Sequence, residues 1–114
     1  MANELILIDT SVMIDYYRKT DKANSVLIKL LRQGNTFAVS AITKYEIYSG
    51  ATQNQIFFWN QVFEGIRVFA FDEVDVDMAV EINTVLKRKR KQIDIADLFI
   101  AATAVRNNLS LAIK

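Results

Sequence analysis

Three acidic side chains stand in sequence surroundings that are unusual for a carboxylate. Asp9 directly follows the apolar run 5–8, Glu46 lies on a helical side made of small and apolar residues, and Asp97 interrupts the almost wholly apolar segment 95–105. Carboxylate oxygens are the ligands that hard cations such as Mg²⁺ and Mn²⁺ prefer. Brought together, three carboxylates would repel each other unless a cation lay between them. The pattern predicts a divalent metal site.

The rest of the composition excludes most other chemistry. The 114 residues include no His and no Cys. Imidazole bases, Ser-His-Asp triads, thiolate zinc sites and disulfides are therefore excluded. The chain has only three glycines and lacks both the Walker phosphate loop and the Gly-x-Gly-x-x-Gly turn. Acid-base and metal chemistry is left to carboxylates, Lys, Tyr and hydroxyls.

Length and charge set the scale of the protein. A chain of 114 residues, 52% hydrophobic and 24% charged, predicts a single globular domain over residues 1–114. Its net charge of +1 gives no overall attraction to nucleic acid or membrane. The first apolar run is too short for a signal segment, so we expect a cytoplasmic protein without a membrane partner.

Each of the three acids also has a purely structural interpretation. Asp9 is placed to cap the helix that follows the first strand. Asp94 and Asp97 have the spacing of a capping box, in which the first-turn amides absorb the charge. Glu46 could simply be solvated, as most helical glutamates are. The sequence leaves these alternatives open.

Apolar runs and helical stripes alternate along the chain. Strands are predicted over residues 5–8, 36–40, 68–71 and 109–113. Helices are predicted between them. The first covers 12–17 with Thr10 or Ser11 as its cap, the second is capped by Asp21 and ended by Gly34, and the third runs from Ser40 or Thr43 to Gly50. Three more are predicted over 53–64, around 78–86 and over 95–106. Short apolar strands separated by helices indicate a three-layer α/β/α fold with a short parallel sheet. Ligands of such sheets bind at the carboxyl ends of the strands, where Asp9 lies.

Three blocks of sequence carry a resemblance to a known family. The first block contains Asp9-Thr10-Ser11, and Glu46-x-x-x-Gly50 closes the second. The third reads Ile93-Asp94-Ile95-Ala96-Asp97 followed by Leu98-Phe99-Ile100-Ala101-Ala102-Thr103-Ala104. In order and spacing, residues 7–15, 39–50 and 93–104 resemble the PIN-domain family and, within it, the VapC-type toxins of toxin-antitoxin pairs. The resemblance covers nearly the whole chain.

The resemblance implies an activity and partners. Asp9, Glu46 and Asp97 match the family's first three acidic positions, which hold Mg²⁺ or Mn²⁺ and hydrolyse RNA phosphodiester bonds. Asp94 is an accessory candidate for orienting water or metal, and Ser11 or Thr10 for hydrogen bonding to a ligand. A homodimer and a small antitoxin protein that covers the acidic groove are implied as well.

The sequence departs from the family pattern at one place. Family members continue past the last strand to a fourth acidic position, whereas this sequence reads Ser110-Leu111-Ala112-Ile113-Lys114 with no such acid. We expect either a partial chain or a shortened member that lacks the usual C-terminal end.

A run of five cations provides the one concentrated basic patch. Lys87, Arg88, Lys89, Arg90 and Lys91 are consecutive, and the resemblance suggests that they contact RNA phosphates. The alternative is a solvated helix end that balances the upstream acids, Asp72, Glu73, Asp75, Asp77 and Glu81.

Three other interpretations compete with this one. A phosphoacceptor receiver domain would place its acceptor at Asp72, after the third strand, but the first strand ends in one acid instead of a pair. A haloacid-dehalogenase-type phosphatase would need a second Asp where Ser11 stands. A catalytically impaired interaction module would instead use exposed aromatic residues, for which the candidates are Tyr16, Tyr17, Phe57, Phe58 and Trp59.

Overall fold

The computed structural model describes residues 4–114 and contains one sheet of four parallel strands. The strands are β1 (Leu5–Ile8), β2 (Thr36–Ser40), β3 (Arg67–Phe69) and β4 (Ser110–Ala112), in the spatial order β3-β2-β1-β4. Ile6 lies opposite Phe37 on one side and opposite Ser110 on the other. The first strand of the chain is therefore central, with the last strand beside it.

Six α-helices connect and cover the strands. They are α1 (Thr10–Arg18), α2 (Val26–Arg32), α3 (Ala41–Ser49), α4 (Gln53–Glu64), α5 (Glu73–Arg88) and α6 (Ile95–Arg106), with a short 3₁₀ turn at Lys22–Asn24. None of the helices within residues 4–114 is both long and apolar enough to cross a membrane.

Alternate residues of the central strands divide the core between two faces. Ile6 and Ile8 pack with α1 to α4, in a cluster that includes Met13 and Trp59. Leu7 points the other way and packs against α6 through Ile100. Helix α5 then covers the outer side of α6, so the predicted three-layer α/β/α architecture with a parallel sheet is confirmed.

Several element boundaries follow from capping residues that the sequence reveals. Ser40 caps α3, and Thr52 caps α4 in a full capping box with Gln55. Gly50 and Gly65 end these two helices, as predicted. Helix α6 also spans its predicted residues.

Four elements differ from prediction in their bounds. Helix α1 begins at Thr10, because Asp9 caps it instead of Thr10 or Ser11. Asp21 caps only the 3₁₀ turn, and α2 begins four residues later because Ser25 provides the actual cap. Strand β3 covers residues 67–69 instead of 68–71, because its length is set by pairing with Ala38 to Ser40 of β2. Strand β4 is limited to residues 110–112 by its pairing with β1.

The expectation that all of α6 is buried is wrong for its first turn. The side chain of Ile95 is 68% exposed, and Asp97 is exposed as well. From Leu98 to Ala104 the helix packs against both the sheet and α5. Asp97 therefore lies where α6 emerges from the core.

Helices α5 and α6 are antiparallel, and an ion-pair cluster fixes their relative direction. Nη1 of Arg106, at the end of α6, lies 2.7 Å from Oδ1 of Asp72 and 2.9 Å from Oδ2 of Asp75, at the start of α5. Asp75 is fully buried, and its Oδ1 has no hydrogen-bond partner among the residues described. The end of α5 consequently lies near the start of α6.

Candidate active site at the carboxyl edge of the sheet

Asp9 is held where β1 ends and α1 begins. Its Oδ2 accepts a hydrogen bond of 3.0 Å from the backbone N–H of Ser11, and its own N–H donates to the carbonyl oxygen of Ala112 at 2.9 Å. The interpretation of Asp9 as a helix cap is therefore confirmed. The cap uses only one carboxylate oxygen, because Oδ1 has no hydrogen bond within residues 4–114. That oxygen remains available to a ligand.

Glu46 is not a freely solvated side chain, which corrects the alternative interpretation. Its Oε1 accepts a 2.6 Å hydrogen bond from the hydroxyl of Thr10, and the side chain is half-buried. The Thr10 oxygen also lies 3.1 Å from the hydroxyl oxygen of buried Thr43. Thr10 has only one hydroxyl hydrogen, and it donates that hydrogen to the carboxylate of Glu46. The hydrogen bond between the two threonines must therefore be donated by Thr43. This short chain fixes Glu46 beside the start of α1.

A second pair of hydroxyls joins the helix of Glu46 to the helix of Asp97. The hydroxyl of Thr103 in α6 donates to the carbonyl oxygen of Phe99 at 3.0 Å and lies 3.4 Å from Oγ of Ser40. Ser40 in turn caps α3 by accepting from the N–H of Ile42. Both hydroxyl residues are fully buried. Sequence reasoning gave Thr103 no role, although a lone Thr in an apolar helix indicated a buried polar contact.

Asp94 and Asp97 do not form the capping box that their spacing allows. Asp94 is the residue before α6 but makes no side-chain capping bond, and Asp97 makes no hydrogen bond within residues 4–114. Neither carboxylate therefore caps α6, which was the structural alternative that the sequence left open.

The electrostatic surroundings of Asp97 link the three acids. Neighbouring protein atoms displace part of the water around the Asp97 carboxyl, which raises its pKa above the usual 3.8. Nearby negative charges raise that pKa further. These charges belong to Asp9, Asp94 and Glu46. The carboxylates that the sequence singled out thus lie within electrostatic range of each other at one edge of the sheet.

The arrangement is more open than a finished metal cage. Among the residues that the structure describes, no three acidic side chains are close enough together to count as a metal-holding group. The donor chemistry nevertheless suits a hard divalent cation, since every candidate ligand is an oxygen. Repulsion on Asp97 is also what a bound cation would relieve.

The model of the PIN domain family matches residues 6–114. The chain belongs to the PIN domain family. A relative from Methanocaldococcus jannaschii, Ribonuclease VapC1, is 32% identical over 93% of this chain and 72% of its own length. The three acids of this chain, Asp9, Glu46 and Asp97, all lie within residues 6–114, which the family model matches.

Solved structures similar to this PIN domain share its fold. DNA-bound VapBC from Salmonella typhimurium superposes with a TM-score of 0.81 at 18% identity, over 93% of this chain and 83% of the other. VapBC2 from Rickettsia felis, bound to a DNA fragment from its promoter, gives 0.79 at 21% identity, over 94% and 84%. The resemblance inferred from sequence is confirmed at the level of family and fold.

Family membership replaces the receiver-domain and phosphatase interpretations. Asp72, the residue that would accept phosphate, caps α5 with its Oδ1 and forms an ion pair with Arg106. Hydrogen bonding from Arg106 is the main reason why the pKa of Asp72 lies below its usual value. Asp72 therefore has a structural role in this PIN domain.

The aromatic residues considered as partner anchors divide into two groups. Trp59 is only 3% exposed and stacks with Tyr17 and Phe58 in the core, so its assignment to a docking surface is wrong. Phe57 is 69% exposed and remains available to a partner.

The basic run lies at the open end of the α5–α6 pair. Helix α5 ends at Arg88, Lys89 follows it, and Arg90 adopts a positive φ of 54° that turns the chain toward α6. All five residues of the run are exposed, and within residues 4–114 none forms a salt bridge. The expected balance with upstream acids is wrong for Asp72 and Asp75, which form ion pairs with Arg106 instead.

One contact near the acids was not predicted at all. Nζ of Lys114, just after β4, lies 2.6 Å from Oδ1 of buried Asp15, and its backbone N–H donates to Oγ of Ser11 at 3.0 Å. Hydrogen bonding by Lys114 is the largest of the effects that lower the pKa of Asp15. The Ser11 hydroxyl, an accessory candidate, thus already has a protein partner. Only a three-dimensional fold could bring these distant residues together.

Proposed function

We propose that this PIN domain is a metal-dependent endoribonuclease of the VapC toxin type, which hydrolyses RNA phosphodiester bonds. The proposal is carried by carboxylates from three separate chain segments: Asp9 and Glu46 are held by hydrogen bonds at the start of α1, and their negative charge is felt by Asp97. The relative named Ribonuclease VapC1 supports the choice of reaction. All-oxygen donors without His or Cys suit metal-assisted hydrolysis.

Asp9, Glu46 and Asp97 are the residues that would hold Mg²⁺ or Mn²⁺. When bound, such a cation lowers the pKa of an attacking water and screens the charge that develops on phosphorus. Oδ1 of Asp9 and both carboxylate oxygens of Asp97 could bind the cation, because within residues 4–114 none of them accepts a hydrogen bond. Asp94, which directly precedes α6, is the accessory group that would orient water.

The protein's own groups keep these ligands in place. The N–H of Ser11 fixes one oxygen of Asp9, and the hydroxyl of Thr10 fixes one oxygen of Glu46. These two donors are consecutive residues at the start of α1, so a single helix end orients two of the three carboxylates. Ligands held in advance lose less conformational entropy when they bind.

RNA would reach the acids along the basic run. Because α5 and α6 are antiparallel, Lys87 to Lys91 lie at the same end of the helix pair as Asp94 and Asp97. Exposed cations without ion-pair partners can each take a phosphate and release its counterion. We assign Lys87, Arg88, Lys89, Arg90 and Lys91 to contacts with the RNA backbone.

Partners complete the proposal. The similar solved structures include VapBC complexes, which supports a cognate antitoxin protein whose segment covers the acidic groove. We also propose a homodimer and a cytoplasmic setting, as for other toxins of this type. Exposed Phe57 on α4 is the candidate anchor for a protein partner.

Cleavage of end-labelled cellular RNAs tests the function. We expect cutting in Mg²⁺ or Mn²⁺ that a chelator stops and that Asp9→Asn abolishes. Asn is an equally good helix cap, so the substitution keeps the bond to Ser11 and the fold while removing the charge. Full activity of Asp9→Asn would exclude the mechanism. No cutting by the wild-type chain with any metal would favour a catalytically impaired interaction module.

A further inference from the structure

A cationic groove runs along α1 beside the acidic edge. It encloses about 560 Å³ and is lined by Thr10, Ser11, Ile14, Asp15, Arg18, Lys19 and Lys114. Ile14 is the one aliphatic residue in this lining. The other lining side chains are charged or carry hydroxyl groups, so the groove has the donors and charges to bind a polar or charged ligand.

The charges in the groove are unequal. Three cations face a single carboxylate, that of Asp15. Asp15 is buried and binds Lys114 at 2.6 Å and Lys19 at 3.7 Å, while its second oxygen accepts from the N–H of Val26 at 3.0 Å. Within residues 4–114, Arg18 forms no salt bridge. The groove thus keeps an excess of positive charge that no described side chain neutralises.

Arg18 also connects this groove to Glu46. A smaller cavity of about 190 Å³ shares Ile14 and Arg18 with the groove and reaches Glu46 and Trp59. At its other end the groove reaches Thr10, the residue that holds Glu46. Arg18 therefore shares a cavity with Glu46 on the face of the sheet that α1 covers, whereas α6, which carries Asp97, covers the other face.

An acidic site that cuts a polyanion needs positive charge on its approaches. The carboxylates that raise the pKa of Asp97 would repel RNA phosphates as well. The basic run 87–91 supplies cations on the α6 side only. The α1 groove supplies them on the other side, so a strand crossing the acids would meet cations before and after the scissile bond.

We propose that the α1 groove binds the RNA backbone on the far side of the cleavage point from the basic run, with Arg18 contacting a phosphate. Asp15 positions Lys114 and Lys19 along the wall, and Arg18 supplies the charge that is not already paired. This assignment rests on the proposed function, because it takes single-stranded RNA as the substrate.

The chain provides a matched control for Arg18. Arg32 is also an exposed arginine in the last turn of its helix, and it is absent from the groove lining within the described residues. Arg18→Ala and Arg32→Ala therefore remove the same charge from equivalent helix positions. Circular dichroism verifies that both variants fold.

The experiment measures binding of labelled single-stranded RNA to the full chain in chelator, so that no cleavage occurs, over a series of salt concentrations. Loss of one phosphate contact should lower the salt slope by ~0.7 and weaken binding about fivefold near 0.1 M salt for Arg18→Ala. Arg32→Ala should match the wild type, and Arg18→Lys should recover most of the affinity.

The outcomes separate this assignment from the proposed function. Equal RNA affinity of Arg18→Ala and wild type would overturn the assignment and leave the groove to a protein segment. A wild-type chain that binds RNA through Arg18 but never cuts it would support the groove and contradict only the nuclease. A wild-type chain that neither binds nor cuts RNA would overturn both.

Discussion

The hydroxyl of Thr10 donates a 2.6 Å hydrogen bond to Oε1 of Glu46, across 36 positions of sequence. It joins the first residue of α1 to the middle of α3, and the hydroxyl of Thr43 forms a second hydrogen bond to the Thr10 hydroxyl. A hydrogen bond to a charged group contributes about 1.5–3 kcal/mol.

Thr10→Val should therefore lower kcat/KM by about ten- to a hundredfold, since each ~1.4 kcal/mol is a factor of ten. The metal concentration for half-maximal activity should rise as well, because Glu46 loses its fixed orientation. Thr10→Ser keeps the hydroxyl and should stay close to wild type. RNA cleavage measured over a Mn²⁺ series checks this, and equal activity of Thr10→Val at every concentration would contradict it.

Asp97→Asn should abolish cleavage and yet raise the melting temperature in chelator at neutral pH. The pKa of Asp97 is raised by partial loss of hydration and by its acidic neighbours, so the charged form is disfavoured in the folded chain. The gain should shrink as the pH falls through the raised pKa of the folded state and should vanish below 3.8, the usual value, where Asp97 is protonated in both states. Asp77→Asn, at an exposed position of α5, is the control. A lower melting temperature for Asp97→Asn would show that the charge is compensated.

Arg106→Met should destabilise the chain at neutral pH and lose part of its disadvantage in acid. Hydrogen bonding from Arg106 lowers the pKa of Asp72, so this interaction stabilises fully above the unfolded value of 3.8. It is lost as the pH falls from there through the lowered pKa of the folded state. Melting temperatures of variant and wild type from neutral pH to pH 3 should converge. A constant difference would mean that Arg106 acts by packing alone.

Lys89→Glu with Arg90→Glu should reduce the dependence of RNA binding on salt. Two phosphate contacts contribute about 1.4 to the slope of log K against log[salt] for single strands. Charge reversal at Lys29 and Arg32, exposed in the last turn of α2, is the matched control. An unchanged slope would remove the basic run from the RNA path and leave the α1 groove as the assigned contact.

Trp59→Ala should cost about 3–5 kcal/mol of unfolding free energy, as is usual for a buried aromatic residue. Trp59 is 3% exposed, whereas its near neighbour Phe57 is 69% exposed. Phe57→Ala should remain within ~0.5 kcal/mol of wild type. Urea denaturation compares the two. A large loss for Phe57→Ala would show that it is buried against a second subunit in solution.

The helices were predictable where their ends are marked by local chemistry. Ser40, Thr52, Gly50 and Gly65 define α3 and α4 almost to the residue, because capping involves only neighbouring groups. The ends of β3 and β4 were not predictable, since they depend on which residues find a partner across the sheet. The predicted start of α2 was wrong for another reason. Asp21 and Ser25 are both good helix caps, and the sequence alone does not show which of them begins the helix.

The candidate site divides in the same way. Asp9, Glu46 and Asp97 were visible as carboxylates in unsuitable surroundings, and Asp9 was correctly placed at the end of β1. The hydrogen bonds that orient them were not visible. Thr10 to Glu46 and Lys114 to Asp15 span 36 and 99 positions, and only tertiary packing makes them neighbours.

The pairing of β4 with β1 has a consequence for synthesis on the ribosome. Ile6 cannot form its pair with Ser110 until Ser110 has left the ribosome. This happens about a hundred residues later, or roughly 5–20 s at ordinary elongation rates. Until then the carbonyl of Ala112 that receives the N–H of Asp9 does not exist, and the central strand has an unpaired edge. The nascent chain therefore lacks this backbone contact of Asp9 until β4 has been synthesised.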